Sequence, residues 1–364
     1  MIIAILGAGG FIGSHLVAHL LERREHRIVG LDLTDEKLRG IGGKNFTFHH
    51  ADIRWASGTV EEVISRADLV VDLIAHANPS LYVTTPLDVF ELNFTQNLRV
   101  ARLCMKHGKR LIQYSTAEVY GKALGGESFS EDTTDLVLGP IHRQRWIYAS
   151  AKILLERVLY AHGAPGDLDY TIVRPFNFVG PRIDYLVPAN AIGGPRVFPH
   201  FMSALLSGGP LRLVDGGRVH RAFMHIADAN AAFQTLLDSA GETRNQIYNV
   251  GNPANNTTVR GLAVLMSEMY EQLTGQTARS QVEEIDGEAF YGEGYEDGDR
   301  LPPDISKIQA LGWSPRYDLR TTVRDAMAYY VERYGNSRRP IMSASGALFA
   351  SLLPVGGLVA NLPF

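Results

Sequence analysis

The sequence predicts an α/β protein built on a Rossmann-type doubly wound parallel sheet, followed by a smaller α/β substrate-binding region. Three observations predict this class. A glycine-rich turn directly follows an apolar N-terminal strand, apolar strands alternate with helices as far as about residue 175, and shorter elements rich in glycine and proline come after that. Such alternation produces parallel sheets with right-handed crossovers. We expect a dinucleotide-binding domain over residues 1–175, a mainly substrate-binding region over residues 176–335, and an apolar tail of unknown role over residues 336–364.

The first element is the apolar run Met1–Leu6, which is typical of a buried parallel strand. Gly7, Gly10 and Gly13 follow it in a G-x-x-G-x-x-G spacing, and a helical apolar pattern begins at Phe11. Glycines allow a tight turn and a close approach of the backbone to a pyrophosphate, and the helix N-terminus presents N–H groups to it. Strand, turn and helix in this order predict a dinucleotide site.

A second strand, Arg27–Leu31, ends at Asp32. A carboxylate at this place accepts hydrogen bonds from the adenosine ribose hydroxyls and repels a 2′-phosphate. The sequence therefore predicts NAD rather than NADP as the cofactor.

Further strands and helices continue the alternation. Because all the strands of such a sheet run the same way, their C-terminal ends are expected to line one ligand site. The predicted strands are 67–74, which leads into Ala75, then 109–114 and 170–174; the predicted helices are 87–107 and a helix of about 144–162 that carries Tyr148 and Lys152.

Tyr148 and Lys152 are four positions apart in that helix. Residues i and i+4 share a helix face, so the phenol and the ammonium point the same way. A free tyrosine has a pKa of about 10 and is a poor base near neutrality. A neighbouring ammonium stabilises the phenolate and lowers that pKa. A hydroxyl, Ser115 or Thr116, stands at the end of an upstream strand and completes a hydroxyl, phenol and ammonium set.

Composition indicates an ordinary globular enzyme. The chain has 364 residues, of which 45% are hydrophobic and 20% charged, with a formal net charge of −4. This balance argues against an electrostatic nucleic-acid binder. The single cysteine, Cys104, excludes an intramolecular disulfide framework. With no signal peptide evident, and an apolar run at 347–353 too short and interrupted to span a membrane, we expect a cytoplasmic protein.

Short motifs spread over about residues 1–335 add a resemblance to a known family. The chain resembles the extended short-chain dehydrogenase/reductases, the NAD-dependent epimerase/dehydratase group that acts on nucleotide sugars. It is most similar to the UDP-glucuronate decarboxylase domain of the bacterial aminoarabinose pathway and to plant UDP-apiose/UDP-xylose synthase. The motifs are E-V-Y-G at 118–121, R-W-I-Y at 145–148, R-P-F-N at 174–177, G-P-R at 180–182, V-D-G-G at 214–217 and Y-G-E-G-Y at 291–295.

The resemblance implies roles for individual residues. Thr116, Tyr148 and Lys152 are implied as catalytic, together with Glu118 and Arg300, and Lys152 also holds the nicotinamide ribose. The implied cofactor residues are Gly7, Gly10, Phe11, Ile12, Gly13, Asp32, Asp52, Ile53, Ala75, Tyr148 and Lys152. The implied substrate residues are Pro79, Tyr82, Arg145, Asn177, Arg196, Arg212, Arg221 and Tyr295, and no metal site is expected.

Two departures from the family pattern affect the chemistry. Ala117 stands where the decarboxylases have serine and the apiose synthases have cysteine, and Ala77 matches a second cysteine of the synthases. Leu301 stands where the family has the arginine that handles the substrate carboxylate and protonates C5; Arg300 precedes it by one position. If Arg300 replaces that arginine, decarboxylation is possible.

Three functions remain open. The first is oxidation at C4 of UDP-glucuronate followed by decarboxylation, which yields a UDP-pentose or a UDP-4-ketopentose. The second is C4 epimerisation, or another 4-keto chemistry on a nucleotide sugar that keeps the carboxylate. The third is a catalytically silent NAD-binding protein. Apiose formation is disfavoured because both cysteines are absent. The family also implies a homodimer through helices 87–107 and 144–162.

Overall fold

The computed structural model describes residues 1–184, 186, 196–298 and 300–335. Its elements follow the predicted alternation as far as the sixth strand. The strands are β1 Ile2–Leu6, β2 Arg27–Asp32, β3 Phe46–His50, β4 Leu69–Asp72, β5 Arg110–Tyr114, β6 Tyr170–Pro175, β7 Phe178–Val179, β8 Leu211–Val214, β9 His220–Ala222, β10 Met224–His225, β11 Gln246–Val250, β12 Asn256–Thr258 and β13 Val282–Ile285.

Helices cover both faces of the sheet, and short 3₁₀ turns connect several elements. The helices are α1 Phe11–Arg23, α2 Ser57–Arg66, α3 Pro79–Thr84, α4 Pro86–Phe90, α5 Asn97–Lys106, α6 Ile147–Gly163, α7 Val197–Ser207, α8 Ile226–Asp238, α9 Val259–Thr274, α10 Gly287–Tyr291, α11 Ser306–Gln309 and α12 Leu319–Tyr334. The 3₁₀ turns are Glu36–Leu38, Ala117–Tyr120, Gln144–Trp146, Asp215–Gly217 and Pro253–Asn255.

Seven of the described strands form the central sheet in the order β11-β6-β5-β4-β1-β2-β3, and every pairing in it is parallel. This confirms the predicted doubly wound class. The other described strands form three two-stranded pairs, β10 with β7, β12 with β9, and β13 with β8. Because β11 comes from beyond residue 175, the chain returns to the first sheet after β10. The division at residue 175 therefore stays a prediction, and the tail 336–364 lies outside the described residues.

The two faces of the sheet bury separate apolar cores. Along β1, Ile3 and Ile5 point to the side covered by α1, α8 and α12, whereas Ala4 and Leu6 point to the side covered by α2, α5 and α6. This is the two-residue alternation of a strand. Cys104 lies fully buried in the second core, as expected for a structural thiol. Every helix in the described parts of the chain is too short or too polar to cross a bilayer.

The predicted helix 87–107 is divided by a π-helical turn. α4 leads into the π-helix Glu91–Gln96, which leads into α5. The buried Asn93 amide donates 2.8 Å to the carbonyl of Val89, four residues earlier. A side chain that bonds to this carbonyl competes with the i to i−4 backbone hydrogen bonds of an α-helix. This competition accounts for the π-helical turn. Sequence periodicity alone does not reveal such a competitor.

A buried ion pair fixes α6 to the sheet. Arg174, in β6, donates from Nε to Glu156 Oε1 at 3.1 Å and from Nη2 to Glu156 Oε2 at 2.6 Å. Its Nη1 donates to the hydroxyl of Tyr120 at 2.9 Å, and that hydroxyl donates to Asn249 Oδ1 at 2.8 Å. A bidentate ion pair of this geometry fixes both the distance of α6 from the sheet and its rotation about its own axis.

Close packing of α1 on β1 explains the glycine spacing. Gly7 has a φ of +87°, in the left-handed region that side chains disfavour. A Cβ on Gly13 would lie 2.1 Å from the Gly7 carbonyl oxygen, and one on Gly9 would lie 1.8 Å from the carbonyl oxygen of Thr34. At Gly13 the helix therefore sits on backbone atoms of the turn, and at Gly9 the turn sits on the backbone of Thr34, with no room for a methyl group at either place.

Gly13→Ala is expected to lower the free energy of unfolding by about 1–3 kcal/mol, because the added methyl group must push α1 away from the turn. Urea denaturation followed by circular dichroism measures it. Gly58→Ala is the matched control, since Gly58 lies in α2 with nothing within 4 Å of the added Cβ. That variant should be unchanged or slightly more stable. Equal effects of the two substitutions would contradict the packing argument.

Candidate active site

One cavity of about 630 Å³ runs along the C-terminal ends of β1, β2, β4, β5 and β6. This is the edge at which open parallel sheets bind ligands. The glycine turn forms one end of the cavity, Thr116 and Tyr148 line its middle, and a group of arginines forms the other end. The cavity thus joins the predicted cofactor residues to the predicted substrate residues.

The glycine end has the donor set that a dinucleotide requires. Gly10 caps α1 without a side-chain hydrogen bond, so the first N–H groups of the helix are left for an anion. Asp32 accepts from Gly9 N–H at 2.9 Å and from Leu33 N–H at 2.6 Å. Burial raises the pKa of Asp32, and these N–H groups oppose the rise. The residues fit an adenosine ribose on Asp32 and a pyrophosphate on α1.

Not every predicted cofactor residue reaches the cavity. Gly7, Gly10, Phe11, Ile12, Gly13, Asp32 and Ala75 line it, whereas Asp52, Ile53 and Lys152 do not. Asp52 forms a 2.7 Å ion pair with Arg54, and Ile53 is buried in the second core. The cofactor contacts assigned to Asp52, Ile53 and Lys152 stay predictions.

Gly9 and Lys37 are among the wall residues at this end that the sequence analysis missed. Gly9 could have been found, because it stands between Gly7 and Gly10 in the same motif. Lys37 could not, because only the fold brings it to the cavity. Its Nζ donates 2.8 Å to the carbonyl of Arg182 and 3.2 Å to that of Ile183. Burial lowers the pKa of Lys37 to about 8.

The middle of the cavity joins Thr116 to Tyr148. Thr116 caps the 3₁₀ turn at 117–120 by accepting from Glu118 N–H at 3.1 Å. Burial raises the pKa of Tyr148, and a hydrogen bond with the Thr116 hydroxyl opposes that rise. The other candidate hydroxyl, that of Ser115, has no hydrogen-bond partner in the described structure. Thr116 is therefore the hydroxyl that meets the phenol.

Two neighbours hold Tyr148 and Lys152 in place. The ring of Tyr82, in α3, stacks on the ring of Tyr148 with a centroid distance of 4.8 Å and an interplanar angle of 7°. Lys152 is 1% exposed, and its Nζ donates 3.1 Å to the carbonyl of Tyr114 at the end of β5. Burial lowers the pKa of Lys152 to about 8, although nearby carboxylates oppose this.

Three arginines and two carboxylates form the other end. Glu118 Oε2 accepts from Arg145 Nη1 and from Arg300 Nη2, each at 2.7 Å. Arg221 Nη2 pairs with Asp297 Oδ1 at 2.5 Å. Burial opposes ionisation of Glu118, but the arginines outweigh it and lower the pKa of this carboxyl to about 2. The cluster therefore carries one excess positive charge.

Arg300 reaches the site despite its one-residue offset from the family position. Its side chain is buried against Glu118 and the carbonyl of Ala117, whereas Leu301 packs on the apolar group that contains Val119 and Phe129. Phe129 N–H also donates to the carbonyl of Pro302 at 2.9 Å, which fixes the loop beside Leu301. The offset delivers a guanidinium to the cavity and a leucine to the core.

All eight predicted substrate residues line the cavity. Asn177 has a φ of +27° and donates 3.2 Å to the carbonyl of Ala222. Arg196 pairs with Asp184 at 3.0 Å, and Arg212 with Glu283 at 3.2 Å. The remaining members of the set are Pro79, Tyr82, Arg145, Arg221 and Tyr295.

The segment 286–298 covers the arginine end and is tied down on both sides. Glu296 accepts from Lys122 at 2.7 Å and from the Trp146 indole at 2.8 Å, while Glu288 pairs with Arg143. Asp297, in this segment, was missed by the sequence analysis, although it stands two positions after Tyr295. No group of His, Cys, Asp and Glu side chains in the described ranges could hold a metal ion.

Comparison with known proteins places the chain among related enzymes. It is 38% identical to UDP-D-apiose/UDP-D-xylose synthase 2 of Arabidopsis thaliana over 362 residues, covering 93% of each chain. It is also 38% identical to UDP-D-apiose/UDP-D-xylose synthase of Oryza sativa subsp. japonica, covering 95% of this chain and 93% of that one.

A solved structure agrees with this relationship. The PbgP3 protein of Burkholderia pseudomallei superposes with a TM-score of 0.81 at 33% identity, over 93% of this chain and 98% of that one. The model of the NAD dependent epimerase/dehydratase family matches residues 3–251, which span the glycine turn, Thr116, Tyr148 and Lys152. The chain therefore belongs to the NAD dependent epimerase/dehydratase family and is an NAD-dependent enzyme of the extended short-chain dehydrogenase/reductase type.

Proposed function

We propose that this enzyme oxidises C4 of UDP-glucuronate and then removes the C6 carboxylate. The observation that carries the proposal is Arg300 on Glu118 beside Arg145, which puts excess positive charge next to the Thr116 and Tyr148 pair. A hexuronate brings one carboxylate to match that charge, and arginines offer it fork-shaped donors. Similarity to relatives named UDP-D-apiose/UDP-D-xylose synthases supports the proposal.

In the first step Tyr148, as phenolate, takes the proton of the C4 hydroxyl. Lys152, four residues along the same helix face, supplies a positive charge that favours the phenolate once it forms. Thr116 holds the phenol oxygen and the sugar hydroxyl in line. The glycine turn and Asp32 would hold NAD, whose nicotinamide would supply the acceptor for the hydride of C4 and the donor for its later return. The product of this step is a 4-keto sugar.

The second step follows from the position of the new ketone. It lies β to the C6 carboxylate, so the electron pair of the breaking C5–C6 bond moves toward the ketone oxygen and carbon dioxide leaves. Arg300 and Arg145 orient the carboxylate before it leaves, and a proton then adds at C5. The resulting UDP-4-ketopentose is released, or its ketone is reduced back to give a UDP-pentose.

The second candidate function is C4 epimerisation, or another 4-keto chemistry that keeps the carboxylate. It uses the same Thr116, Tyr148 and Lys152 and requires the sugar to turn over within the cavity. Ala77 and Ala117, which line the wall, leave space there. Apiose formation is less well supported, because both positions lack a thiol and Cys104 is buried in α5.

Assembly and location are part of the same proposal. We infer a homodimer formed through the helix region 87–107 and α6. Leu87, Leu154 and Tyr160 expose 80%, 41% and 64% of their surfaces there, which is apolar area that a second copy would cover. A cytoplasmic location fits an enzyme of nucleotide-sugar metabolism with a single buried thiol.

Incubation with NAD and UDP-glucuronate labelled with carbon-13 at C6 separates the candidates. The proposed reaction releases labelled carbon dioxide and gives a UDP-pentose or UDP-4-ketopentose, both detected by NMR and mass spectrometry. Retention of the label in a new UDP-hexuronate would identify an epimerase. If neither product nor NADH forms, the enzymatic proposal is wrong.

Arg300→Gln is expected to reduce carbon dioxide release by about 100-fold or more, because one charged donor at the reacting carboxylate is lost. NADH formation, measured at 340 nm in a single turnover, should be much less affected. Arg320→Gln is the matched control, since Arg320 is exposed and pairs with Glu268 on the surface. Wild-type decarboxylation by Arg300→Gln would remove Arg300 from the mechanism.

Asp32→Asn is expected to raise the affinity for NADP relative to NAD by about tenfold or more, because it removes the negative charge that repels a 2′-phosphate. Fluorescence titration with NADH and NADPH measures both dissociation constants. Asp35→Asn serves as control, since Asp35 is exposed and does not line the cavity. An unaltered preference in Asp32→Asn would refute the ribose contact.

A further inference from the structure

A buried carboxylate lies behind the cavity, apart from the arginine cluster. Asp72 is the last residue of β4 and has no exposed surface. Its Oδ1 accepts from Ile74 N–H at 3.0 Å, and its Oδ2 has no hydrogen-bond partner among the described residues. A buried carboxylate with so few hydrogen bonds is costly unless a cation lies nearby.

Strand register shows which way Asp72 points. Asp72 is paired with Gln113 of β5. Val70 and Leu111, two positions earlier on each strand, belong to the core beneath α5 and α6. Because strand side chains alternate, Asp72 and Gln113 also point toward α6.

Lys152 enters the same space from α6. Its Nζ donates 3.1 Å to the Tyr114 carbonyl, which also accepts from Gln113 Nε2 at 3.3 Å. Gln113 Nε2 lies 3.4 Å from the carbonyl oxygen of Asp72 as well. The ammonium and the Gln113 amide therefore share the Tyr114 carbonyl, and the same amide contacts the main chain of Asp72. All three residues are shielded from water at the ends of β4 and β5.

The other carboxylate near Lys152 is already occupied. Glu156, one turn further along α6, is bound by two nitrogens of Arg174. Asp72 is then the carboxylate left to balance the ammonium. The elements packed against this part of α6 carry further polar and titratable groups. These are Asp72 of β4, Gln113 and Tyr114 of β5, Tyr148 and Glu156 of α6 itself, Arg174 of β6, Asn97 and Cys104 of α5, and Ser115, Thr116 and Glu118 of the turn after β5.

We propose that Asp72 is the buried counter-ion of Lys152, a positioning residue that holds the ammonium beneath Tyr148 and sets the pH range in which Tyr148 acts as a base. This inference rests on the proposed function for the role of Tyr148. Asp72 does not line the cavity, so it is assigned to positioning and not to contact with the reacting groups.

The negative charge of Asp72 determines the direction in which it changes the pKa values of Lys152 and Tyr148. Burial lowers the pKa of Lys152 to about 8, and Asp72 opposes that fall. Burial raises the pKa of Asp72 to about 6, and Lys152 opposes that rise. Without the negative charge, both Lys152 and Tyr148 lose their protons more easily. The rising limb of activity, set by Tyr148, and the falling limb, set by Lys152, should both move to lower pH.

Asp72→Asn tests the inference in the NAD-bound enzyme. The pH dependence of kcat/KM should move to lower pH by about one unit on both limbs, the size expected for a charge several ångströms away at an effective dielectric constant of about 20. Tyrosinate absorbance, taken as the difference from the matching Tyr148→Phe variant, should show the same shift for Tyr148. Asp68→Asn is the control, since Asp68 precedes β4 on the surface and contacts Ile2 N–H. Limbs that stay at their wild-type pH would overturn the counter-ion role.

Tyrosinate absorbance and a double variant cover the cases in which activity or folding is lost. Tyrosinate absorbance needs no turnover, so it reports on Asp72 even if UDP-glucuronate is not the substrate. If Asp72→Asn does not fold, the double variant Asp72→Asn/Lys152→Met removes the unbalanced ammonium as well. Recovery of folded protein in the double variant, measured by circular dichroism, supports the pairing. Persistent unfolding there overturns it.

Discussion

The seating of α6 on the sheet is the constraint on which the active site depends. Tyr148, Lys152 and Glu156 lie at i, i+4 and i+8 on one helix face, so fixing one of them fixes the others. Glu156 is fixed by its two hydrogen bonds to Arg174 of β6. Because that pair is buried, removing one partner would leave an unbalanced charge in the core, and the helix would shift to hydrate it. The proposed base is therefore positioned by an interaction two turns away from it.

Local sequence patterns predicted the parts of the fold and site that local physics determines. The glycine turn, the strand ending at Asp32 and the Tyr148–Lys152 spacing each follow from a few adjacent residues, and the sheet agrees with them. Lys37 and Asp72 were missed because each acquires its surroundings from segments distant in the chain. Asp52 and Ile53, named only through resemblance, lie outside the cavity walls. The offset at Arg300 was open in the sequence, since an irregular loop has no period from which a side-chain direction can be read.

The arginine end shows why this site requires guanidinium groups. One oxygen of Glu118 accepts hydrogen bonds from two arginines, and Asp297 pairs with a third arginine, Arg221. A guanidinium has several donors and keeps its charge when buried, so it can stay bound to a protein carboxylate and still offer N–H groups to a ligand. Arg145 Nε is such a group, buried and without a hydrogen-bond partner in the described ranges. Glu118 and Asp297 thus orient the three arginines and leave one positive charge to bind the substrate.

The ion pairs that hold segment 286–298 differ in their exposure to solvent. Glu288 with Arg143 and Glu296 with Lys122 lie at the partly exposed rim, whereas Asp297 with Arg221 lies inside. Dissolved ions screen the outer pairs and leave the inner pair nearly intact. Ionic strength therefore acts on the ion pairs at the rim of the cavity rather than on the reacting groups inside it. Salt would loosen the edges of the segment, change how quickly nucleotide sugars enter and leave, and spare the events at C4.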